Sequence, residues 1–391
     1  MVKKVLLRAP LLSQSGYGVH SRQVFQFCET QSDWNLTTEV LPWGITAWCV
    51  NSDFENGIYG RIMEKSKPIE GKFDITIQIQ LPHEWNPDLG HFNIGVTAGV
   101  ETDRCSAEWG TVCREKMDLV IVPSAHAKAG MIMVSTGNEK TPIKVVPEAF
   151  FPELLLPPTS DPLESLPTSN NFLIVGTLIS DDPLADRKNL VASITWFLEA
   201  FSEKDDVGLI VKTTKGRDTT IDRELVRKLL AQIKKSINKK SFPKLYMLHG
   251  SMTREEMTNL YKSEKLTALI SATRGEGFGL PMVEAAVAGL PIVATDWSAY
   301  TEFLSGDSFQ RVHYDLVRIP QSRIDNRIFV PAAKWADARA GNFKKKLVKV
   351  LKNKESLAVS AKELSSALKK THSINAIIEA YTRCILPVTE G

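Results

Sequence analysis

The most informative segment of this chain reads Ser271-Ala-Thr-Arg-Gly-Glu-Gly-Phe-Gly-Leu-Pro-Met-Val-Glu-Ala-Ala-Val-Ala-Gly-Leu-Pro-Ile-Val-Ala-Thr295. The apolar residues just before it predict a strand that ends near Thr273, and Pro281 suits the first residue of a helix that Gly289 can close. The glycine-rich loop between them directs backbone N–H groups into the positive end of the helix dipole, where phosphate groups bind. The segment therefore predicts a phosphate site between a strand and a helix.

Two carboxylates flank this predicted site. Glu276 lies in the loop and Glu284 lies one turn inside the helix, with seven residues between them. Carboxylates accept hydrogen bonds from vicinal hydroxyls, and a nucleoside diphosphate sugar carries both such hydroxyls and phosphate. The residues alone leave another interpretation open, in which Glu284 only complements the helix dipole and Glu276 is solvated.

Outward from this segment, short apolar stretches alternate with segments of helical period, the pattern of parallel strands joined by crossover helices. Two such series occur, and a length of 391 residues favours two domains. The predicted strands lie at 5–7, 75–81, 94–97, 119–122 and 144–146 in the first series, and at 172–175, 208–211, 244–248, 268–270 and 291–294 in the second.

A proline-rich stretch separates the two series and predicts a linker without a central strand, since proline cannot donate to a ladder. Its prolines are Pro152, Pro157, Pro158, Pro162 and Pro167. We expect an N-terminal domain at 1–160 and a C-terminal domain at 161–391 whose last helix packs back on the first. Apolar spacing predicts a helix over 190–201, and Thr253-Arg-Glu-Glu256 predicts a capping box.

Composition and charge exclude several classes of protein. With 43% hydrophobic and 24% charged residues, disordered, collagen-like and coiled-coil chains are poor interpretations. Residues 1–160 carry 14 Lys and Arg against 18 Asp and Glu, whereas 161–391 carry 34 against 27, so the second half is expected to meet anions. No apolar run suits a membrane span or signal peptide, and five unpaired cysteines suit a cytoplasmic protein with free thiols.

The segment from Glu276 to Glu284 resembles the Glu-x7-Glu donor motif of the family-4 retaining glycosyltransferases of GT-B fold. The resemblance implies an α/β protein with two facing Rossmann-like domains and a cleft between them. It also implies that Glu284 holds the ribose diol of the donor nucleotide and that Glu276 holds the sugar hydroxyls. Main-chain contacts to the donor are expected from Gly277, Phe278, Gly279 and Leu280.

A second match to the same family runs from Val175-Gly-Thr177 to Arg187 and Lys188. Two cations at a helix start can hold a diphosphate, Arg187 in a bidentate manner and Lys188 as a point charge, and so stabilise the leaving group. The family usually has an arginine directly after the glycine, where this chain has Thr177, so Arg187 is expected to substitute for it. Simple surface exposure is the alternative for both cations.

Weaker donor-binding candidates follow other predicted strands. Lys212 is a phosphate candidate, and His249 lies where the family places its base pocket, although a solvated lysine and an ordinary turn explain both equally well. In the first half, Gly16 and Gly18 look like the family's amino-terminal glycine loop, which faces the donor phosphates. They lack the third glycine and the downstream acid of a dinucleotide fingerprint.

The segment Glu101-Thr-Asp103-Arg104 resembles a loop that lines the acceptor side in a subgroup of these transferases. Glu101 stands where many relatives have a histidine near the sugar, and His83 is the other candidate for that role. An acidic pair at a strand end can orient sugar hydroxyls or take up the acceptor proton. Local pairing of Asp103 with Arg104 and a structural role for His83 are the alternatives.

The sequence therefore predicts a retaining glycosyltransferase in which Glu101, His83, Glu276 and Lys188 act in catalysis, without a metal or a cofactor beyond the nucleotide sugar. The acceptor is left open among a glycan, a lipid-linked glycan, a protein and a modified nucleic-acid base. A catalytically inactive nucleotide-sugar-binding module is a further alternative. A nicotinamide-dependent dehydrogenase also uses paired α/β domains, but its glycine fingerprint is missing.

Overall fold

A computed structural model describes residues 2–134, 141–178 and 182–389, and the chain divides into two compact units. The first unit comprises Met1–Ala149, Asp325–Ala333 and His372–Gly391, and the second comprises Phe150–Ile324 and Lys334–Thr371. The first boundary thus lies between Ala149 and Phe150, ahead of the proline-rich stretch, and not between 160 and 161.

The strands in the described part of the chain are β1 (Lys3–Ala9), β2 (Trp34–Val40), β3 (Phe73–Ile79), β4 (Gly90–Val96), β5 (Leu119–Val122), β6 (Ile143–Val145), β7 (Asn170–Thr177), β8 (Val207–Thr214), β9 (Lys244–His249), β10 (Leu266–Ser271), β11 (Ile292–Thr295), β12 (Phe309–Val312), β13 (Tyr314–Arg318) and β14 (Lys334–Ala338). The helices are α1 (Gly16–Glu29), α2 (Phe54–Lys65), α3 (Ala107–Lys116), α4 (Ala125–Met133), α5 (Leu190–Ala200), α6 (Thr220–Ser236), α7 (Arg254–Tyr261), α8 (Leu280–Val287), α9 (Ala340–Lys352), α10 (Lys354–Thr371) and α11 (Ile374–Thr389).

The first unit is built on a six-stranded parallel sheet in the order β2-β1-β3-β4-β5-β6. Its inner strands are almost fully buried, as expected for a parallel sheet covered on both faces. The chain order reverses between β1 and β3, so the loops that follow these two strands diverge at the sheet's carboxyl edge. Strand β2 was missed by the sequence analysis because it is a half-exposed edge strand with few apolar residues.

The C-terminal helix α11 lies in the first unit. Its apolar face buries Ile377, Tyr381 and Ile385 in that unit's core. The Tyr381 hydroxyl lies 2.8 Å from Nε2 of His20, which is buried in α1. Burial lowers the pKa of His20 to about 4, so this imidazole is neutral at physiological pH.

The second unit has a six-stranded parallel sheet in the order β12-β11-β10-β7-β8-β9. Strands β7 and β10 are neighbours at the point where the chain order reverses. In open α/β sheets, ligands bind outside the carboxyl ends of the strands at this switch point. The sheet therefore puts the loop after β7 beside the loop after β10, and these are the loops that carry Arg187, Lys188 and Glu276.

The proline-rich stretch forms no strand, as predicted, but it is a packed part of the second unit and not a free linker. It contains a short 3-10 helix, Pro152–Leu155, and buries Phe151, Leu154 and Leu163 in the second unit's core. Asn259 of α7 accepts a hydrogen bond from the backbone N–H of Thr159 at 2.9 Å.

Strands β13 and β14 form an antiparallel hairpin that the sequence analysis did not anticipate. Both strands belong to the second unit, whereas residues 325–333, which lie between them, belong to the first.

All five cysteines are free, as predicted. Within the described residues, no helix is both long and apolar enough to cross a membrane.

The glycine at position 18 has a packing role that can be tested. A Cβ added at Gly18 would lie 1.9 Å from the Ser13 carbonyl oxygen, so Gly18→Ala is expected to lower the free energy of unfolding by about 3 kcal/mol. Gly341→Ala is the matched control, because it lies in helix α9 with no atom within 4 Å of the new Cβ. Urea unfolding followed by circular dichroism measures both, and equal stabilities for the two variants would contradict this packing role.

Candidate active site

The glycine-rich loop ends in the left-handed conformation that starts helix α8. Gly279 has a φ of 104° and is the N-cap, Leu280 is the first helical residue and Pro281 the second. Beyond the helix, Gly289 has a φ of 87°. The N–H groups of Gly279 and Leu280 donate no hydrogen bond to any described residue, so they are available to an anion at the helix start.

Glu276 is the centre of a buried ionic cluster. Its residue is 8% exposed, and Lys188 Nζ lies 2.8 and 2.7 Å from its two carboxylate oxygens. Arg187 Nη1 lies 3.1 Å from Oε2, and the Thr273 hydroxyl donates to Oε1 at 2.8 Å. Burial alone would raise the pKa of Glu276, but the charges of Lys188 and Arg187 and these hydrogen bonds lower it to about 2. Glu276 is therefore an anion throughout the physiological range.

The two loops that carry this cluster are joined by their backbones as well. The Arg187 guanidinium donates to the Gly275 carbonyl at 2.6 Å, and the Arg274 N–H donates to the Arg187 carbonyl at 2.8 Å. The side-chain amide of Asn189 donates to the Ala272 carbonyl at 3.0 Å. Arg187 is only 6% exposed, which excludes the interpretation that it is a solvated surface cation.

A narrow cavity adjoins the cluster. The residues that line it include Lys188 and Glu276 from the ionic cluster, Gly279 and Pro281 from the start of α8, and Val175 from β7. The cation, the carboxylate and the helix start that the sequence analysis assigned to donor binding therefore border one space. The cavity has a volume of only about 10 Å³, room for about one water molecule, so it marks where these groups meet and is not itself the space for a larger ligand.

Glu284 has a different environment from Glu276. It is half-buried on α8, and the Tyr261 hydroxyl of α7 donates to its Oε2 at 3.0 Å. Burial raises the pKa of Glu284 to about 7, against the opposing effects of the Tyr261 hydrogen bond and the Arg254 charge. Both protonation states are therefore populated near neutral pH. Tyr261 was missed by the sequence analysis, since nothing in its local pattern indicates a polar partner.

Lys212 and His249 lie at the carboxyl ends of β8 and β9 in the same sheet. Lys212 is 7% exposed and donates to the Gly250 carbonyl at 2.6 Å, so it is not a solvated lysine. Burial lowers its pKa. The Nε2 atom of His249 is buried without a hydrogen-bond partner among the described residues, which leaves one polar atom for a ligand.

In the first unit, Gly16 and Gly18 lie in the first turn of α1, where the Ser15 side chain caps the helix by accepting from the Gly18 N–H at 3.1 Å. The close approach of Ser13 explains why position 18 has no side chain. Next to them, Tyr17 accepts a hydrogen bond from the Ala98 N–H at 3.0 Å. Tyr17 was not singled out from the sequence, although it stands between the two glycines.

The acceptor-side candidates follow β3 and β4 of the first sheet. His83 lies in a 3-10 helix, Pro82–Glu84, where its Nδ1 accepts from the Trp109 indole at 3.1 Å. Asp103 and Arg104 form a local ion pair of 3.1 Å, and Glu101 is half-buried two residues before Asp103.

His126 was missed by the sequence analysis. Its pKa is lowered to about 4 by burial, against the opposing charge of Asp103. Its place at the start of α4, directly after β5, is the signal that could have found it.

No group of three His, Cys, Asp or Glu in the described ranges could hold a metal ion.

Comparison with known proteins gives the family and the fold that this chain resembles. Residues 227–313 match the family model described as glycosyl transferases group 1. A segment of 140 residues is 31% identical to the serotype-specific mannosyltransferase WbdA of Escherichia coli. That segment covers 36% of this chain and only 15% of WbdA.

Solved structures are similar over almost the whole chain. Anabaena HepE, solved in complex with UDP and glucose, has a TM-score of 0.61 at 12% identity, with 97% of this chain and 98% of that chain covered. Sucrose-phosphate synthase from Thermosynechococcus elongatus has a TM-score of 0.59 at 13% identity, with 99% of each chain covered. The chain therefore has the GT-B fold, and its residues 227–313 are similar to the group 1 glycosyltransferases.

Proposed function

We propose that this protein is a retaining, metal-independent glycosyltransferase that moves a hexosyl or pentosyl group from a nucleoside diphosphate sugar to an acceptor hydroxyl. The observation that carries the proposal is the cluster of Arg187, Lys188 and Glu276 at the switch point of the second sheet, beside the free N–H groups at the start of α8. The glycosyltransferase family match supports the reaction class. The family-4 subtype and its retaining stereochemistry rest on the resemblance of the Glu276 to Glu284 segment.

The three charged side chains suit the two ends of such a donor. With two cations and one anion, the cluster has a net charge of +1, so it attracts a diphosphate while keeping a carboxylate for sugar hydroxyls. Lys188 has three donors and can contact a phosphate oxygen without leaving Glu276. Glu276 stays ionised because its pKa is held near 2, and an ionised carboxylate is the stronger acceptor for a sugar hydroxyl.

The catalytic contribution of the cluster is electrostatic. As the bond to the anomeric carbon breaks, negative charge develops on the departing diphosphate. Lys188, Arg187 and the N–H groups at the α8 start are fixed in advance where they can stabilise that charge. We propose that these groups do what a divalent cation does in metal-dependent transferases.

The acceptor is proposed to bind at the carboxyl edge of the first sheet. Glu101 and His83 follow adjacent strands there. Glu101 can accept a proton from a hydroxyl group, whereas His83, whose Nδ1 accepts from Trp109, carries its proton on Nε2 and can donate to a sugar oxygen. WbdA is a mannosyltransferase and HepE was solved with UDP and glucose, so GDP-mannose and UDP-glucose are the first donors to test. A glycan, a lipid-linked glycan, a protein and a modified nucleic-acid base all offer a suitable hydroxyl.

The proposed function predicts that a nucleotide sugar binds in the absence of metal ions. Isothermal titration of UDP-glucose and GDP-mannose in excess EDTA is expected to give a dissociation constant below millimolar for at least one of them. The unphosphorylated nucleosides serve as controls and are expected to bind far more weakly, because the cluster's net positive charge then has no partner. Loss of binding on chelation, or no binding of either donor, would refute the proposal.

Lys188→Ala and Glu284→Ala are expected to fail in different ways. Lys188→Ala removes transition-state charge stabilisation and should lower turnover by about 100-fold. Glu284→Ala should mainly raise the donor KM, since its proposed contact is to the ribose in both ground and transition states. Steady-state kinetics measures both, with the exposed Lys228→Ala and Glu224→Ala of α6 as controls. Small and equal effects in folded variants would remove both residues from the site.

Glu101→Gln tests the acceptor side. The amide preserves shape while it removes charge and basicity, so donor affinity should be unchanged and sugar transfer lost. Glu108→Gln, an exposed change in α3 of the same unit, is the control. Calorimetry and a transfer assay are run on the same preparations. Unimpaired transfer in Glu101→Gln would move the proposed role to His83, to be checked with His83→Ala.

A further inference from the structure

Arg274 joins three segments of the second unit. Its N–H donates to the Arg187 carbonyl at 2.8 Å, and its own carbonyl accepts from the Ala336 N–H of β14 at 2.9 Å. The loop after β10 therefore lies between the loop that carries Arg187 and Lys188 on one side and the β13–β14 hairpin on the other. Glu276 follows Arg274 by two residues, so this backbone connection ends at the ionic cluster.

The Arg274 side chain repeats the connection to the hairpin. The residue is 6% exposed, its guanidinium forms an ion pair with Asp337, and its centre lies 5.3 Å from the Trp335 ring centroid. Trp335 and Asp337 are two residues apart in β14, so their side chains project from the same face of the strand. The Nε atom is buried without a hydrogen-bond partner among the described residues, so the ion pair and the ring are what orient the guanidinium.

We propose that Arg274 is a positioning residue for the donor, and that β14 is the element from which it acts. Arg274 touches none of the three charged side chains of the cluster through its own guanidinium. Its side chain acts on Arg187 through the backbone of 274–275: the Arg274 N–H donates to the Arg187 carbonyl, and the Gly275 carbonyl accepts from the Arg187 guanidinium at 2.6 Å. Loss of the anchor lets the two loops separate and mis-sets the geometry of Lys188, Arg187 and Glu276. The inference rests on the proposed function, because its consequence is measured as donor affinity.

A role in stability alone predicts something different. In that case Arg274 would support the hairpin, and its loss would lower the unfolding temperature without changing the donor site of the folded protein. Asp315 offers a matched comparison. It lies opposite Asp337 in the register of the hairpin strands, and its side chain forms an ion pair with Arg339. Asp315→Asn removes an ion pair of the same hairpin that does not involve Arg274.

The experiment compares the wild type with Arg274→Lys, Arg274→Met, Asp337→Asn and Asp315→Asn. UDP-glucose and GDP-mannose are titrated by calorimetry, and hydrogen exchange of the amides in 272–280 is followed without ligand. We expect a donor Kd about 10-fold higher in Arg274→Met and Asp337→Asn, a smaller change in Arg274→Lys, and the wild-type value in Asp315→Asn. The backbone amides of residues 272–280 should exchange faster in Arg274→Met and Asp337→Asn than in the wild type and in Asp315→Asn.

The outcomes separate this inference from the proposed function. If the wild type binds neither donor, the proposed function fails, and the inference about donor positioning fails with it. If the wild type binds a donor but Arg274→Met and Asp337→Asn match Asp315→Asn in Kd and in exchange, only the inference is wrong. Should Arg274→Met not fold, Asp337→Asn decides, because Asp337 is on the surface side of the pair, with 47% of its side chain exposed.

Discussion

The arrangement of loops at the carboxyl edge of the second unit's sheet depends on the buried carboxylate of Glu276. An ionised carboxylate away from water is costly unless it is paired and hydrogen-bonded, and removal of one partner from such a pair costs about 3–5 kcal/mol. Lys188, Arg187 and Thr273 supply that pairing here. Glu276 therefore keeps its partners only while the loop after β7 docks against the loop after β10, and the same contact borders the cavity at the switch point.

The docking is possible only because of the order of the strands. Strands β7 and β10 are neighbours although β8 and β9 lie between them in sequence, so residues 88 positions apart come into contact. The motif around Glu276 and the cations at 187 and 188 could each be predicted from local sequence. Their direct ion pair could not, because it depends on sheet topology and on burial, neither of which a short segment encodes. The same reason explains why Tyr261 was missed as the partner of Glu284.

The fold itself was predicted best where strands are buried on both faces. Ten strands were found from their apolar stretches. Four were not: the edge strands β2 and β12, and the hairpin strands β13 and β14, which carry polar residues or an exposed face. Glycines show a similar limit. Gly279 has the positive φ that its place at the α8 start requires, but Gly18 is explained by the approach of Ser13, which the sequence pattern cannot distinguish from a phosphate loop.

The β13–β14 hairpin contacts the loop after β10, which carries Glu276, and neither six-stranded sheet provides this contact. Strand β14 begins at Lys334, directly after the segment 325–333 that belongs to the first unit, and within this strand Ala336 bonds to Arg274. The five residues of β14 thus directly follow the chain passage at 333/334 and contact the loop that carries Glu276; the chain also passes between the units at 149/150, 324/325 and 371/372. Because Trp335 is fully buried while Asp337 is half-exposed, the strand is held by packing at one position and by an ion pair accessible to solvent at the other. Salt screens an accessible ion pair more than it affects buried packing, so we expect high ionic strength to weaken the contact of Arg274 with Asp337 while the packing of Trp335 is retained.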